Sequence, residues 1–187
     1  MKNKEQLELR IYGLVNYQLT GIQKGIQFLH AVSDYGQLVK KLKGEELKKY
    51  DDWADNWKTV ILLNGGTTNN RIVDDAYFGT MNGYKEDLDK NGIVNVSFNE
   101  PDLGDQMTSI AFIVDERVFN KKKYPDFEDW VIDKYGDRIN SDVYETSSSI
   151  AQKIKSSDKK IYKKWVNFVG GSENVFLRDF LKNLRLA

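Results

Sequence analysis

The chain contains no cysteine. That excludes disulfides, thiolate nucleophiles and cysteine-ligated zinc or iron–sulfur centres. It contains one histidine, His30, so a multi-histidine metal site cannot be built, and neither a metal nor a cofactor is expected. An excess of charge of one sign is also missing. The 28 Lys and Arg residues balance 28 Asp and Glu, which removes bulk attraction to nucleic acid and leaves only local patches. No apolar run approaches the length of a bilayer span. Met1-Lys2-Asn3-Lys4-Glu5 leads into no signal-like segment, so a cytoplasmic protein with no membrane partner is the expectation. With two prolines and no low-complexity linker, the chain reads as compact throughout.

What is present is enough for a core. Hydrophobic residues make up 40% and aromatic residues 12% of 187 positions, a balance of folded rather than disordered chains. The length fits one domain, or one domain with an appended element. Leu7 to Tyr17 reads as a first strand. Thr20 is a plausible N-cap for a helix that Gly36 can close. On that helix Ile22, Ile26 and Leu29 recur at helical spacing and predict the burying stripe, while Gln23, Gln27, His30 and Asp34 line an adjacent face. A second helix is expected over Gln37–Tyr50, followed by an acidic connector, Asp51–Asn56.

Trp57–Leu63 is a near-continuous apolar run, the signature of a central strand covered on both faces. Asn64-Gly65-Gly66-Thr67-Thr68-Asn69-Asn70 follows it. That stretch is either a turn or, if it opens a helix, an anion-binding geometry; it lacks the lysine and spacing of a P-loop. Met81–Asn91 reads as a helix, and Ile93–Phe98 and Met107–Val114 as two further strands. Beyond Asp115 the spacing turns helical over Phe127–Tyr135, Val143–Lys155, Lys159–Val169 and Asn174–Leu186. The fold class is therefore α/β: a four-stranded mixed sheet with helices on both faces plus a C-terminal helical extension. Residues 1–115 form the α/β domain and 116–187 the extension packed on it.

Several groups have chemistry to offer, each with a plain structural alternative. Two carboxamides, an imidazole and a carboxylate in line (Gln23, Gln27, His30, Asp34) can hold a polar ligand or form a solvated face. His30 can act as acid and base near neutral pH or simply hydrogen-bond. Lys24 can bind phosphate or polarise a carbonyl oxygen, or be solvated. Glu100, Asp102 and Asp105 sit in a loop between strands, where they can orient water or serve turn chemistry. Thr108 follows as a strand residue or a hydroxyl ligand. Lys121-Lys122-Lys123-Tyr124 and Lys159-Lys160-Ile161-Tyr162-Lys163-Lys164-Trp165 interleave lysines with aromatics. That pattern can follow a nucleic-acid backbone or form a charged helix face over buried rings. No Gly-x-Ser-x-Gly elbow occurs, nor any glycosidase, kinase or metalloprotease motif.

The order strand, polar-striped helix, strand, helix, then two strands around an acidic loop resembles the type II peptidyl-tRNA hydrolases of archaea and eukaryotes. Gln27-Phe28-Leu29-His30-Ala31 is similar to the second half of their Gly-Lys-x-Ala-Ala-Gln-x-x-His-Ala signature. Thr108-Ser109-Ile110-Ala111-Phe112 is similar to their final-strand Thr-Val-Leu-Ala-Ile pattern, and Glu100-Pro101-Asp102-Leu103-Gly104 falls where they carry Asp-Ala-Gly-x-Thr. Lys24 lies three residues before Gln27, where the family lysine lies four before its glutamine, a displacement of about 100° round the helix. The likeness covers roughly residues 8–115; uncharacterised bacteriophage proteins look similar too and imply no mechanism. The resemblance implies hydrolysis or binding of an RNA-linked ester, with tRNA or a nucleotide as partner and a homodimer left open. In the catalytic form Lys24 and His30 would flank the scissile carbonyl, Gln27 would position it, and Asp102 with Thr108 would orient the water. In the binding form Gln23, Gln27, Asp34 and Glu100 would line the ligand. A non-catalytic nucleotide-binding protein and an assembly subunit are the other readings.

Overall fold

In a computed structural model the described residues are 6–69, 71–74, 76–135 and 147–187. The chain divides into two compact units, Met1–Asp115 with Phe180–Ala187, and Glu116–Asp179. The closing residues Phe180–Ala187 thus group with the first unit rather than with the helices before them.

The first unit is built on a four-stranded sheet. Strands β1 (Leu9–Val15), β2 (Thr59–Asn64), β5 (Asn95–Glu100) and β6 (Gln106–Asp115) lie in the order β2-β1-β6-β5. β1 runs parallel to β2 and antiparallel to β6, and β5 pairs antiparallel with β6, so the sheet is mixed. The α/β class follows directly, with helices on both faces. Alternation along the strands sends Leu9, Ile11, Val15, Ala111 and Ile113 to one face, against Phe28, Ala31, Tyr35 and Val39 of helix α1 (Gly21–Leu42). Tyr12 and Phe112 stack on the other face, where Phe112 meets Phe180, and Phe180 meets Tyr84 of α3 (Thr80–Lys90).

Several expectations are corrected in this unit. The stripe Ile22, Ile26 and Leu29 is not the buried face of α1: these residues are 80%, 50% and 66% exposed. The buried face is Gln27, Phe28, Ala31, Tyr35, Gly36 and Val39. Close approach decides it, because a Cβ at Gly13 would overlap the ring of Phe28, so the bare backbone of β1 is the seat on which α1 rests. Gly36 does not end the helix. A Cβ there would lie 2.7 Å from Tyr50 Oη, so this glycine lets α1 approach α2 (Gly44–Asp52) closely, and α1 ends instead at Lys43, where φ turns positive. The acidic connector is a π-helical turn, Trp53–Trp57, whose Trp53 indole donates to the Thr59 carbonyl at 2.9 Å.

Another correction is β2, which is an edge strand with only Leu63 buried. Its apolar run reflects one protected side. Its outer edge is met by the chain's last residues: Asn64 N donates to Arg185 O at 2.8 Å and Ala187 N to Leu62 O at 3.1 Å. Helix α8 (Ser172–Leu181) accordingly stops short of the expected Leu186, because the segment beyond it runs extended beside β2. The last is the stretch after Asn64. It opens no helix but leads to a small hairpin, β3 (Arg71–Val73) with β4 (Ala76–Phe78).

The second unit holds α4 (Glu116–Phe119), α5 (Phe127–Tyr135), α6 (Ser147–Ser157), α7 (Lys159–Phe168) and the first part of α8. The expected start of α6 at Val143 lies outside the described residues, as do Asn70 and the leader Met1–Glu5. Phe127, Trp130, Val131, Ala151, Trp165 and Val169 form its core. Arg178, with its side chain 1% exposed, organises the segment after α4. Its guanidinium donates to Asp126 Oδ1 at 2.6 and 3.0 Å, to the Tyr124 carbonyl at 2.8 Å and to the Arg117 carbonyl. A buried guanidinium is tolerated only when its donors are taken up in this way. Burial pushes the Asp126 carboxyl up, but the hydrogen bonds from Lys121 and Arg178 outweigh it and hold its pKa below the usual carboxylate range.

The face of α1 that meets the sheet is open to a stability test. Phe28→Ala is expected to cost about 3–5 kcal/mol by urea unfolding. Leu29→Ala, one residue on, is expected to stay within about 0.5 kcal/mol. The reverse ranking would restore the stripe that helical spacing suggests.

Candidate functional site

The candidate site lies where the middle of α1 crosses the end of the β5–β6 hairpin. A β-bulge builds it. Phe98 pairs with Ser109 and Asn99 with Met107, so Thr108 is an extra residue on β6, and the ladder slips by one at that point. Strict alternation would send Thr108 and Ser109 to opposite faces; the bulge lets both meet α1. The Ser109 hydroxyl donates to the main-chain carbonyl of Gln27 at 2.7 Å. The Thr108 hydroxyl donates to Gln27 Oε1 at 2.6 Å, with the Phe98 carbonyl also in reach at 3.2 Å. Gln27 Nε2 in turn donates to Glu100 Oε2 at 2.5 Å. Glu100 closes the network: its other oxygen accepts from the Asp102 amide at 3.4 Å and caps the 3-10 turn Pro101–Leu103.

Of the residues singled out in the sequence, Gln27, Glu100 and Thr108 therefore converge. His30 lies beside them, exposed, with its imidazole stacked on Phe98 at 4.6 Å between centroids and 22° between planes. Asp102 is an exposed residue of the 3-10 turn, tied to the network only through its backbone amide. Lys24 sits one turn before Gln27 on α1 and is half-buried; Asp34 is exposed one turn beyond His30. No hydrogen bond or ion pair joins the side chain of either to the cluster. Gln23 is taken up at the helix start. Its Oε1 accepts from the Thr20 amide at 3.0 Å while Thr20 Oγ1 accepts from the Gln23 amide at 3.4 Å, a reciprocal capping box. The four residues of the polar stripe are thus separated by environment: Gln27 is buried, Gln23 caps, and His30 and Asp34 face solvent.

Residues that the sequence did not single out complete the picture. Phe98 supports His30, and nothing in a strand's spacing marks it for that. Asn16, 3% exposed at the end of β1, donates from Nδ2 to Thr68 Oγ1 at 3.4 Å and accepts from the Gln18 amide at 3.0 Å. Its own amide donates to the Thr108 carbonyl at 3.0 Å. A polar residue at the carboxyl end of a buried strand was the available signal.

The Asn64–Thr68 stretch is a turn that satisfies itself. Gly65 N donates to Val15 O at 2.9 Å, Gly66 N to Asn64 Oδ1 at 2.8 Å, and Thr67 N to Thr80 Oγ1 at 2.9 Å. Amides spent in this way do not cradle an anion.

Chemically, the cluster is a closed hydrogen-bond chain from Thr108 through Gln27 to Glu100, with an exposed imidazole on an aromatic ring at its rim. Ile26 and Leu29 are exposed on the same helix next to His30, which gives that rim an apolar flank. Among the described residues no group of three or more acidic or imidazole side chains is placed to hold a metal ion. No described helix is long and apolar enough to cross a membrane.

No family model, curated protein or solved structure matches the chain.

The closed chain has a measurable consequence. Thr108→Val leaves the buried Gln27 Oε1 without its donor and is expected to destabilise the fold by about 1–3 kcal/mol in urea. Thr108→Ser keeps the hydroxyl and is expected to recover most of that loss. Equal stability of the two variants would show that the hydroxyl carries nothing.

Proposed function

We propose that this chain is a peptidyl-tRNA-hydrolase-like protein that binds an RNA-linked ester at the His30 rim of α1, and that binding rather than hydrolysis is its role. The observation that supports the reading is the meeting of Gln27 with Glu100 and Thr108 across 73 and 81 residues of sequence. These are positions that the resemblance assigns to the site. The exposed imidazole backed by Phe98 offers a face for a base at a single-stranded RNA end. Lys24, six residues earlier on α1 and about 9 Å back along its axis, offers a cation for a phosphate.

The state of the polar groups favours binding over turnover. In the catalytic form that the resemblance implies, Asp102 and Thr108 would have to reach the attacking water and orient it. Thr108 is 1% exposed and its hydroxyl is spent on Gln27. Asp102 projects from the 3-10 turn with no link to Thr108. Gln27, with both ends of its amide engaged, shapes the rim and does not grip the ligand itself.

The test compares N-acylated aminoacyl-tRNA, such as diacetyl-lysyl-tRNA, with the same tRNA deacylated. Tighter binding of the acylated form is expected, lost in His30→Ala and Lys24→Ala, with no release of the acyl group beyond the protein-free rate. Release that is accelerated and then abolished by His30→Ala and Asp102→Ala would replace binding with catalysis. Equal binding of the two forms would remove the ester from the proposal.

A further inference from the structure

The second unit carries a lysine face that the site on α1 does not use. α7 turns Ile161 and Trp165 inward, with Trp165 buried and its indole donating to the Pro125 carbonyl at 3.1 Å. Its lysines, Lys159, Lys160, Lys163 and Lys164, are all exposed. At 100° per residue they cover an arc of about 140°. Among the described residues none of the four makes a side-chain hydrogen bond or ion pair, although acidic partners relieve other lysines of the unit. Lys121 lies 2.7 Å from Asp126, and Lys123 lies 3.5 Å from Glu116. Asp158, which precedes α7, is used as its N-cap, accepting from the Lys160 and Ile161 amides. Like charges this close destabilise a helix slightly, so the face is one that an anionic partner would relieve.

The row Lys160, Lys164, Phe168 advances about 6 Å per step along the axis and ends on an aromatic ring. Phe168 is 38% exposed. Its ring is backed by Tyr124 at 5.5 Å and Trp130 at 6.2 Å, a partly open platform. Tyr124, which meets that ring, is preceded in the chain by Lys122, also exposed. A row of cations leading to an exposed aromatic is the arrangement that holds a sugar–phosphate backbone while a base stacks. We infer that the α7 lysine face with Phe168 is a binding surface for single-stranded nucleic acid.

An anionic membrane would be drawn to the same charge. It would also require the apolar side of an amphipathic helix to enter the acyl boundary. The apolar side of α7 is already the core of its own unit, which leaves only the lysines and a single ring outward. That favours the nucleic acid. The inference concerns a different unit from the α1 rim and does not rest on that reading.

The test uses the full chain with fluorescently labelled, unacylated 20-nucleotide RNA and DNA, read by anisotropy between 50 and 200 mM KCl. With four lysines engaged, affinity is expected to fall about 50-fold over that range. Lys160→Gln with Lys164→Gln is expected to lower the slope of log Kd against log salt by about 1.4. Phe168→Leu is expected to weaken binding about tenfold and leave the slope unchanged. The lysine pair is exposed and its melting temperature serves as the folding control; it decides the case alone if Phe168→Leu lowers stability. Binding of either strand with these losses supports the surface, and the ratio of the two identifies the sugar. An unchanged slope in the lysine variant overturns it. So does sedimentation with phosphatidylserine vesicles without binding of either oligonucleotide.

Discussion

Gln27 is held at three points, and the placement of α1 on the sheet depends on it. Its main-chain carbonyl is bound by Ser109, its side-chain oxygen by Thr108 and its side-chain nitrogen by Glu100. A buried carboxamide must find both an acceptor and a donor or cost the fold the desolvation of each. Here the two come from opposite arms of one hairpin, and the donor comes from a bulged residue. The constraint works in both directions. The bulge has a role only because Gln27 is there, and Gln27 can be buried only because the bulge turns Thr108 toward it. The same crossing brings His30 onto Phe98, so the exposed rim inherits its geometry from the buried bond.

The second unit solves a related problem with a charge. Arg178 is buried and gathers the Arg117 carbonyl of α4 with the Tyr124 carbonyl and the Asp126 carboxylate of the segment between α4 and α5. Trp165 grips the same segment through the Pro125 carbonyl. The loop is thus pinned by side chains from two helices rather than by regular secondary structure. Asp126 is worth most to this unit above about pH 4, where an unpaired carboxyl is already ionised. Because its folded pKa is depressed, that contribution is lost as pH falls through the lowered value.

Local chemistry was legible from sequence where it acts over a few residues. Thr20 caps α1 as its place before the helix suggests, while Gln23, expected on the ligand-facing stripe, completes that cap; Ile93–Phe98 and Met107–Val114 are the two paired strands expected. The burying face of α1 was not legible, because that helix carries two apolar stripes. Ile22, Ile26 and Leu29 satisfy helical periodicity as well as Phe28, Ala31, Tyr35 and Val39 do. What selects between them is Gly13 on a strand and the hydrogen-bonding needs of Gln27, both long-range. The edge position of β2 was hidden for a similar reason, since an apolar run records burial and not which side a neighbouring strand takes. Of the candidate site, Gln27 and Glu100 were visible as a polar helix stripe and a loop carboxylate, and Thr108 as a ligand only through resemblance to a family motif. Phe98 was invisible, because its partner lies on another element and the bulge that sets its register leaves no mark in spacing.

The most direct measurement follows the side chains of the rim. In uniformly labelled protein, titration with a non-hydrolysable N-acyl-aminoacyl RNA minihelix should move the ring resonances of His30 and Phe98. The deacylated minihelix should move them less at the same concentration. If the acylated and deacylated forms shift the two rings equally, or if the His30 ring stays still at saturation, the ester is not read at this face of α1.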